Sequence, residues 1–238
     1  MVHAMRLDKY VASCAGLSRK EARTAIRQGR VTMEGEPVFR EEVKAGEQAE
    51  VCLDGVVLQA EQYIYYMLNK PAGVVSATKD ARECTVLDLL PPSRRALFPV
   101  GRLDKDAEGL LLVTDDGELA HRLLSPKYHV EKTYEVNYIG ELIPEAEELF
   151  TEGMDIGEKH RTKPARLVRQ GEGQARISLA EGKYHQVKRM VAKAGGHVTY
   201  LRRIAMAGLM LDETLSAGEY RRLTEEEIEG LREAARGC

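Results

Sequence analysis

No stretch of this 238-residue chain approaches the ~20 consecutive apolar residues that span a bilayer. No charged-then-apolar leader opens it, so the expectation is a protein neither inserted nor exported, and therefore cytoplasmic. Cysteine is sparse: Cys14, Cys52, Cys84 and Cys238 are scattered and match no zinc spacing. In such a chain they are expected to be reduced thiols and not a disulfide framework. Neither a G-x-x-x-x-G-K-[ST] loop nor a G-x-G-x-x-G with an acidic ribose ligand occurs, so no nucleotide cofactor is implied. The six histidines form no H-x-x-x-H pair and no H-x-E with C-x-x-C, which excludes a zinc deaminase and leaves no metal site to expect. Charge of one sign is lacking too: the formal net charge is −3, which argues weakly against a nucleic-acid partner.

What is present qualifies that last exclusion. Residues 1–30 hold seven cations against Asp8 and Glu21. Residues 182–203 hold six, namely Lys183, Lys188, Arg189, Lys193, Arg202 and Arg203, and no acid. The tail 212–238 holds eight acids and four arginines. Charges kept apart in this way predict two basic surfaces with an acidic face elsewhere. With 43% hydrophobic and 31% charged residues, the chain can bury a core of ordinary size and form one large domain or two smaller ones.

The first sixty residues read as a compact α-then-β unit. MVHA, before Met5, reads as a short extension. Leu7, Tyr10, Val11 and Cys14 have helical spacing, stopped by Gly16. Ser18 with Glu21 forms a capping box for a second helix, which Gly29 ends. Arg19, Arg23 and Arg27 share one face of it, with no glutamate at i−4 to pair them. RVTMEGEPV reads as a hairpin and AEVCLDGVVL as a further strand region. After a short linker, YIYYMLNKPAGVVSA is apolar and turns at Lys70-Pro71-Ala72-Gly73. A helix is expected over 86–90, a strand over 109–114, and a turn Asp115-Asp116-Gly117 that caps a helix over 118–124. KTYEVNYIG reads as a strand, RLVRQ and ARISLAEGK as a strand pair, and YHQVKRMVAKAGG as a helix. The fold class is α+β: a small N-terminal module over residues 1–58 and a larger, mostly antiparallel mixed sheet with flanking helices over 59–238.

One carboxylate stands out. In PVGRLDKDAEGLLLVTDDG, Asp104 lies between Arg102 and Lys105 at the entrance to an apolar strand, with Gly101 and Gly109 on either side. Strand ends are where a rigid scaffold places reactive groups. Taken singly, Lys183 reads as a solvated lysine, Tyr134 as a strand aromatic, His185 as a structural hydrogen-bonder and His129 as a surface residue.

Taken together and in order, these segments resemble known families. RLDKYVA…SRKEARTAIRQGRVTMEGEPV is similar to the S4 RNA-binding module over residues 5–52. The resemblance implies that Arg19, Lys20, Arg23, Arg27 and Arg30 meet phosphates, which supplies affinity without reading sequence. GRLDKDAEGLLLVTDDG, KTYEV at 132–136 and EGKYHQVKRM at 181–190 resemble the RNA pseudouridine synthases of the branch that modifies ribosomal RNA. YHQVKRM and the tail LDETLSAGEYRRLTEEEI favour the small-subunit type, acting on 16S rRNA at uridine 516. A sister synthase acting on 23S rRNA, or a non-catalytic S4-type ribosome-assembly factor, are the alternatives.

The family's residues carry over as Asp104 for the essential aspartate, Tyr134 for the tyrosine against the base, and Lys183 for the cation that pairs with the aspartate. Arg102 would shape the loop and touch phosphate, Val187 or Met190 would complete the pocket, and Lys188 and Arg189 would meet RNA. One departure is visible: where the family has threonine or serine, this chain has Ala107, so a loop-stabilising hydroxyl is missing. An isomerisation needs no cofactor. The implied partner is ribosomal RNA of the small subunit or its assembly intermediate, bound by a monomer without a membrane.

Overall fold

The computed structural model describes residues 5–46, 49–58, 63–93 and 95–236. The chain divides into two compact units, Met1–Gln62 and Tyr63–Cys238. The extension 1–4, the expected boundary at 58/59 and Cys238 involve residues outside the described set, whereas the linker expected over 53–63 is corrected at 53–58, where the chain forms a hairpin.

In the first unit, β1 (Met5–Arg6) runs into α1 (Leu7–Ala15), which ends on Gly16 at φ 66°. Ser18 and Glu21 make both bonds of the capping box that starts α2 (Arg19–Arg27). β2 (Val31–Met33) and β3 (Glu36–Pro37) form a hairpin about Glu34-Gly35, both at positive φ. β4 (Lys44–Ala45) pairs with β1. The single strand region expected at 49–58 is instead a second hairpin, β5 (Val51–Leu53) and β6 (Val56–Leu58), because Asp54-Gly55 takes the same left-handed turn. The order of the larger sheet is β3-β2-β5-β6. Leu7, Val11, Ala22, Ile26, Val31 and Val51, all fully buried, make the core beneath the two helices.

The second unit is built on a nine-stranded sheet in the order β11-β12-β10-β13-β9-β7-β15, with β8 on β9 and β14 on β13. β7 (Tyr65–Lys70), β8 (Phe98–Pro99) and β9 (Glu108–Thr114) come first. α3 (Gly117–Leu124) follows, capped by the Asp116 carboxylate. Then come β10 (Lys132–Ile139), α4 (Ala146–Glu152), β11 (Ala165–Gly171), β12 (Gln174–Leu179) and α5 (Gln186–Lys193). β13 (His197–Met206), β14 (Leu209–Met210), β15 (Tyr220–Arg222) and α6 (Glu225–Ala234) close the chain.

Residues on β9 alternate between two apolar clusters. Leu111 joins Tyr134, Val136 and the buried side of α5, while Leu110 and Leu112 join residues of α3 and α6. No helix forms over 86–90. Asp88 accepts from both the amide and the hydroxyl of Thr85, holding a turn that Pro91-Pro92 then ends. Every named pairing in the sheet is antiparallel except that of β13 with β9, which meet in parallel at Arg202↔Glu108 and Arg203↔Gly109. Gly109 makes that approach possible: its φ is 97°, and a Cβ there would lie 2.3 Å from the carbonyl oxygen of Arg203.

Candidate active site

The segment joining β8 to β9 carries Asp104, and two neighbours pin it. Ser76 Oγ donates to the Leu103 carbonyl and accepts from the Leu103 amide, each at 3.0 Å. The fully buried Lys70, at the end of β7, donates from Nζ to the carbonyls of Pro71 (2.9 Å), Lys105 (3.3 Å) and Ala107 (2.8 Å). The Gly73 amide adds a bond to the Lys105 carbonyl at 2.7 Å. The loop is thus held through its backbone, and Ala107 turns its methyl into the apolar cluster. The expected loss of a hydroxyl at Ala107 is offset by Ser76 and Lys70, neither of which was legible as a loop anchor.

Asp104 keeps 24% of its side chain exposed, and two groups of α5 face it. Lys188 Nζ lies 3.3 Å from Oδ2, and His185 Nε2 lies 3.5 Å from Oδ1. His185 is the N-cap of α5 and Lys188 follows three residues later, so both fall on one side of the helix. Lys188 is also held by Asp106, at 2.6 and 2.8 Å from its two carboxylate oxygens. Burial lowers the Lys188 pKa, but Asp106 and Asp104 outweigh it and keep the ammonium above its usual range. The same hydrogen bond from Lys188 holds the Asp106 carboxyl below its usual range.

This arrangement corrects the expectation for Lys183. Its ammonium turns to the backbone of the 153–163 segment and donates to the carbonyls of His160 and, at 2.9 Å, Arg161. Its own amide is taken by Gln186 Oε1 at 2.8 Å, which fixes Lys183 outside the first turn of α5. The cation beside Asp104 is Lys188, for which the resemblance implies an RNA contact instead. Arg189 is likewise engaged within the protein, donating to Glu158 at 2.7 Å, to the Tyr184 carbonyl at 3.1 Å and to the Ile156 carbonyl. Asp106 was missed altogether. Its signal is the pair of acids two residues apart around Lys105.

Tyr134 is 8% exposed on β10, opposite Ile177 and Arg203, and shares an apolar cluster with Leu103 and Ala107 of the Asp104 loop. Val187 (5% exposed) and Met190 (none) belong to the same cluster. Arg102 is exposed and forms no ion pair among the described residues. The basic segment 182–203 is not one surface, because Arg203 is buried and donates from Nε to the Leu110 carbonyl at 2.7 Å. No cluster of three or more metal-ligating side chains occurs among the described residues. Nor is any helix among them long and apolar enough to cross a membrane.

In the first unit the basic residues are more engaged than their helix alone suggests. The buried Asp8 carboxylate takes hydrogen bonds from Arg6 (3.1 Å) and Arg23 (3.0 Å), with Arg19 at 4.0 Å. Burial alone would raise the Asp8 carboxyl, but those bonds outweigh it and hold it below the usual carboxylate range. Arg27 binds both oxygens of Glu41, at 2.6 and 2.9 Å, and Arg30 binds Asp54. The expectation of unpaired arginines is therefore corrected: partners absent at i−4 arrive from other elements. Lys20 is exposed with no ion pair among the described residues.

The arrangement places a carboxylate with a charged ammonium and an imidazole at the end of a buried strand, with an aromatic residue in the core beside its loop. Residues 64–193 match the RNA pseudouridylate synthase family, and residues 5–51 match the S4 domain. An uncharacterised RNA pseudouridine synthase of Bacillus subtilis (strain 168) is 45% identical over 237 residues, covering 96% of this chain and 99% of the relative. The ribosomal small subunit pseudouridine synthase A of Escherichia coli (strain K12) is 46% identical over 228 residues, covering 94% and 98%. The crystal structure of a pseudouridylate synthase matches with a TM-score of 0.68 at 40% identity, over 96% of this chain and all of that one. With its S4 domain in front and the matching fold behind, the chain belongs to the RNA pseudouridylate synthase family.

Proposed function

We propose that this protein isomerises one uridine of 16S ribosomal RNA to pseudouridine, with Asp104 as the group that acts on the ribose. The observation that carries the reading is the Asp104–Lys188 pair at 3.3 Å, at the mouth of β9. In the reaction the C1′–N1 bond breaks, the uracil turns, and C5 bonds to C1′. C5 gives up its proton and N1 gains one, so nothing enters or leaves overall and no cofactor is required. Bond breaking puts positive character on C1′ and negative charge on the base. Asp104 meets the sugar by attack at C1′ or by taking a sugar proton, and both routes need it ionised. The Lys188 ammonium, 3.3 Å away, is the opposite charge that faces it there. Tyr134 supplies a flat face on which the freed base turns, and Val187, which keeps slight exposure where Met190 has none, closes the pocket. A stacked base is out of reach of this carboxylate, so the uridine is flipped. Arg102, Lys20 and Arg19, all exposed, are the cations that meet phosphates in this reading. The small-subunit target is supported by the E. coli relative's name, and the protein is read as a monomer working in the cytoplasm.

The test is Asp104→Asn, assayed on 16S rRNA and its assembly intermediates. Turnover should vanish while RNA affinity stays within about twofold. Mapping which rRNA uridine loses modification in a deletion strain decides the target. Loss of a 23S position instead would overturn the small-subunit assignment, and wild-type protein with no turnover on any immature subunit would overturn the catalytic one.

A further inference from the structure

We propose that Tyr184 is a stacking platform for the nucleobase that flanks the target uridine, an inference that rests on the RNA substrate assigned above. Three independent features carry it. The first is exposure: at 74%, Tyr184 is the most exposed large hydrophobic side chain among the described residues. The second is order. One face of its ring lies on the His185 imidazole, with centroids 3.9 Å apart and planes at 19°, so the opposite face is left for a ligand. The third is position: His185 Nε2 is 3.5 Å from Asp104 Oδ1, which sets the platform one ring away from the reactive carboxylate.

The backbone beneath is fixed in a way a solvated loop would not require. His185 is held at φ 47° and ψ 37°, the left-handed region that a residue with a Cβ seldom adopts. The Tyr184 carbonyl accepts from Arg189 Nη1 at 3.1 Å, and the His185 carbonyl from the Arg189 amide at 3.0 Å. The Lys183 amide is closed onto Gln186. An aromatic face that is already ordered and exposed suits an unpaired RNA base, because every base offers a π-face and stacking does not depend on its identity. A nucleotide flanking a flipped uridine loses its neighbour in the stack, and Tyr184 replaces that neighbour.

Tyr184→Ala should raise KM for 16S rRNA about tenfold while kcat changes by less than twofold. Tyr184→Phe should keep the wild-type KM, and Tyr184→Leu, of similar bulk without a π-face, should behave like alanine. A direct reading uses a short oligouridylate carrying one 2-aminopurine next to a central uridine, bound to the Asp104→Asn protein so that nothing turns over. Its fluorescence should shift with Asp104→Asn alone and not with Asp104→Asn/Tyr184→Ala. An unchanged KM in Tyr184→Ala, a wild-type KM in Tyr184→Leu, or a fluorescence shift that survives in the double variant would each overturn the platform. If wild-type protein turned over no uridine while the shift still required Tyr184, the catalytic reading would fall and the platform would stand.

Discussion

At the scale of single residues, the site turns on which of two lysines, five positions apart, faces the carboxylate. Both lie in the run GKYHQVKR, and nothing in that run says where the helix begins. Once His185 is the cap and Gln186 the first helical residue, the i, i+3 relation selects Lys188 and leaves Lys183 to the neighbouring loop. Lys188→Met should therefore lower single-turnover rates about 100-fold, the loss typical of one electrostatic partner, while Lys183→Met stays within a few-fold. Asp104 was legible from its motif. Lys70 was not, because lysines are rarely buried and no local pattern announces one that is. Burial presses the Lys70 and Lys132 ammoniums down to about 8. Below that pH both the folded and unfolded chains carry these charges. Between about 8 and the ordinary lysine range near 10.4, only the unfolded chain still does, so the folded state gains as pH rises. Denaturant titrations from pH 7.5 to 9.5 should show that upward slope, by roughly 1–2 kcal/mol for each of the two lysines, and Lys70→Met should remove about half of it.

Elements with chemical punctuation were legible, and those defined by their partners were not. The Ser18–Glu21 box, the Asp116 cap and the alternation of β10 each state a local preference that the fold obeys. β13, the longest strand, carries no clean apolar alternation: its first four residues are exposed or half-buried, and one of the three buried residues among the rest is an arginine, Arg203. Its place follows from pairing with β10 on one edge and β9 on the other, which is long-range information. The turn at 85–90 misleads in the opposite sense, since its apolar spacing suits a helix but Thr85 and Asp88 satisfy the backbone otherwise. Gly109 is where β9 meets β13, and Gly109→Ala should cost about 2–4 kcal/mol by chemical denaturation, since both the positive φ and the 2.3 Å approach forbid a Cβ. Turnover should fall with it, because the next residues back along the chain are the Asp104 loop.

At the scale of the whole molecule, a near-neutral total conceals cations in very different states. Arg27 and Arg30 are bound by Glu41 and Asp54, Arg203 is inside the sheet, and Lys20 is exposed and unpaired among the described residues. Counting charges along the chain cannot separate these cases, because the acids that neutralise the α2 arginines come from elsewhere in the fold. The separation should appear in salt titrations of RNA binding. Arg19→Gln with Lys20→Gln should reduce the slope of log affinity against log salt by about one to two units, and Arg27→Gln with Arg30→Gln by less. The left-handed backbone at His185 has a different bearing, on how such an enzyme can change over generations. Glycine or asparagine would sit there with less backbone strain, a relief that selection for heat resistance alone would favour. Those same replacements would strip away the imidazole beneath Tyr184. Lineages pushed toward thermal endurance would then drift toward poorer grip on RNA, unless they found their extra robustness elsewhere in the chain.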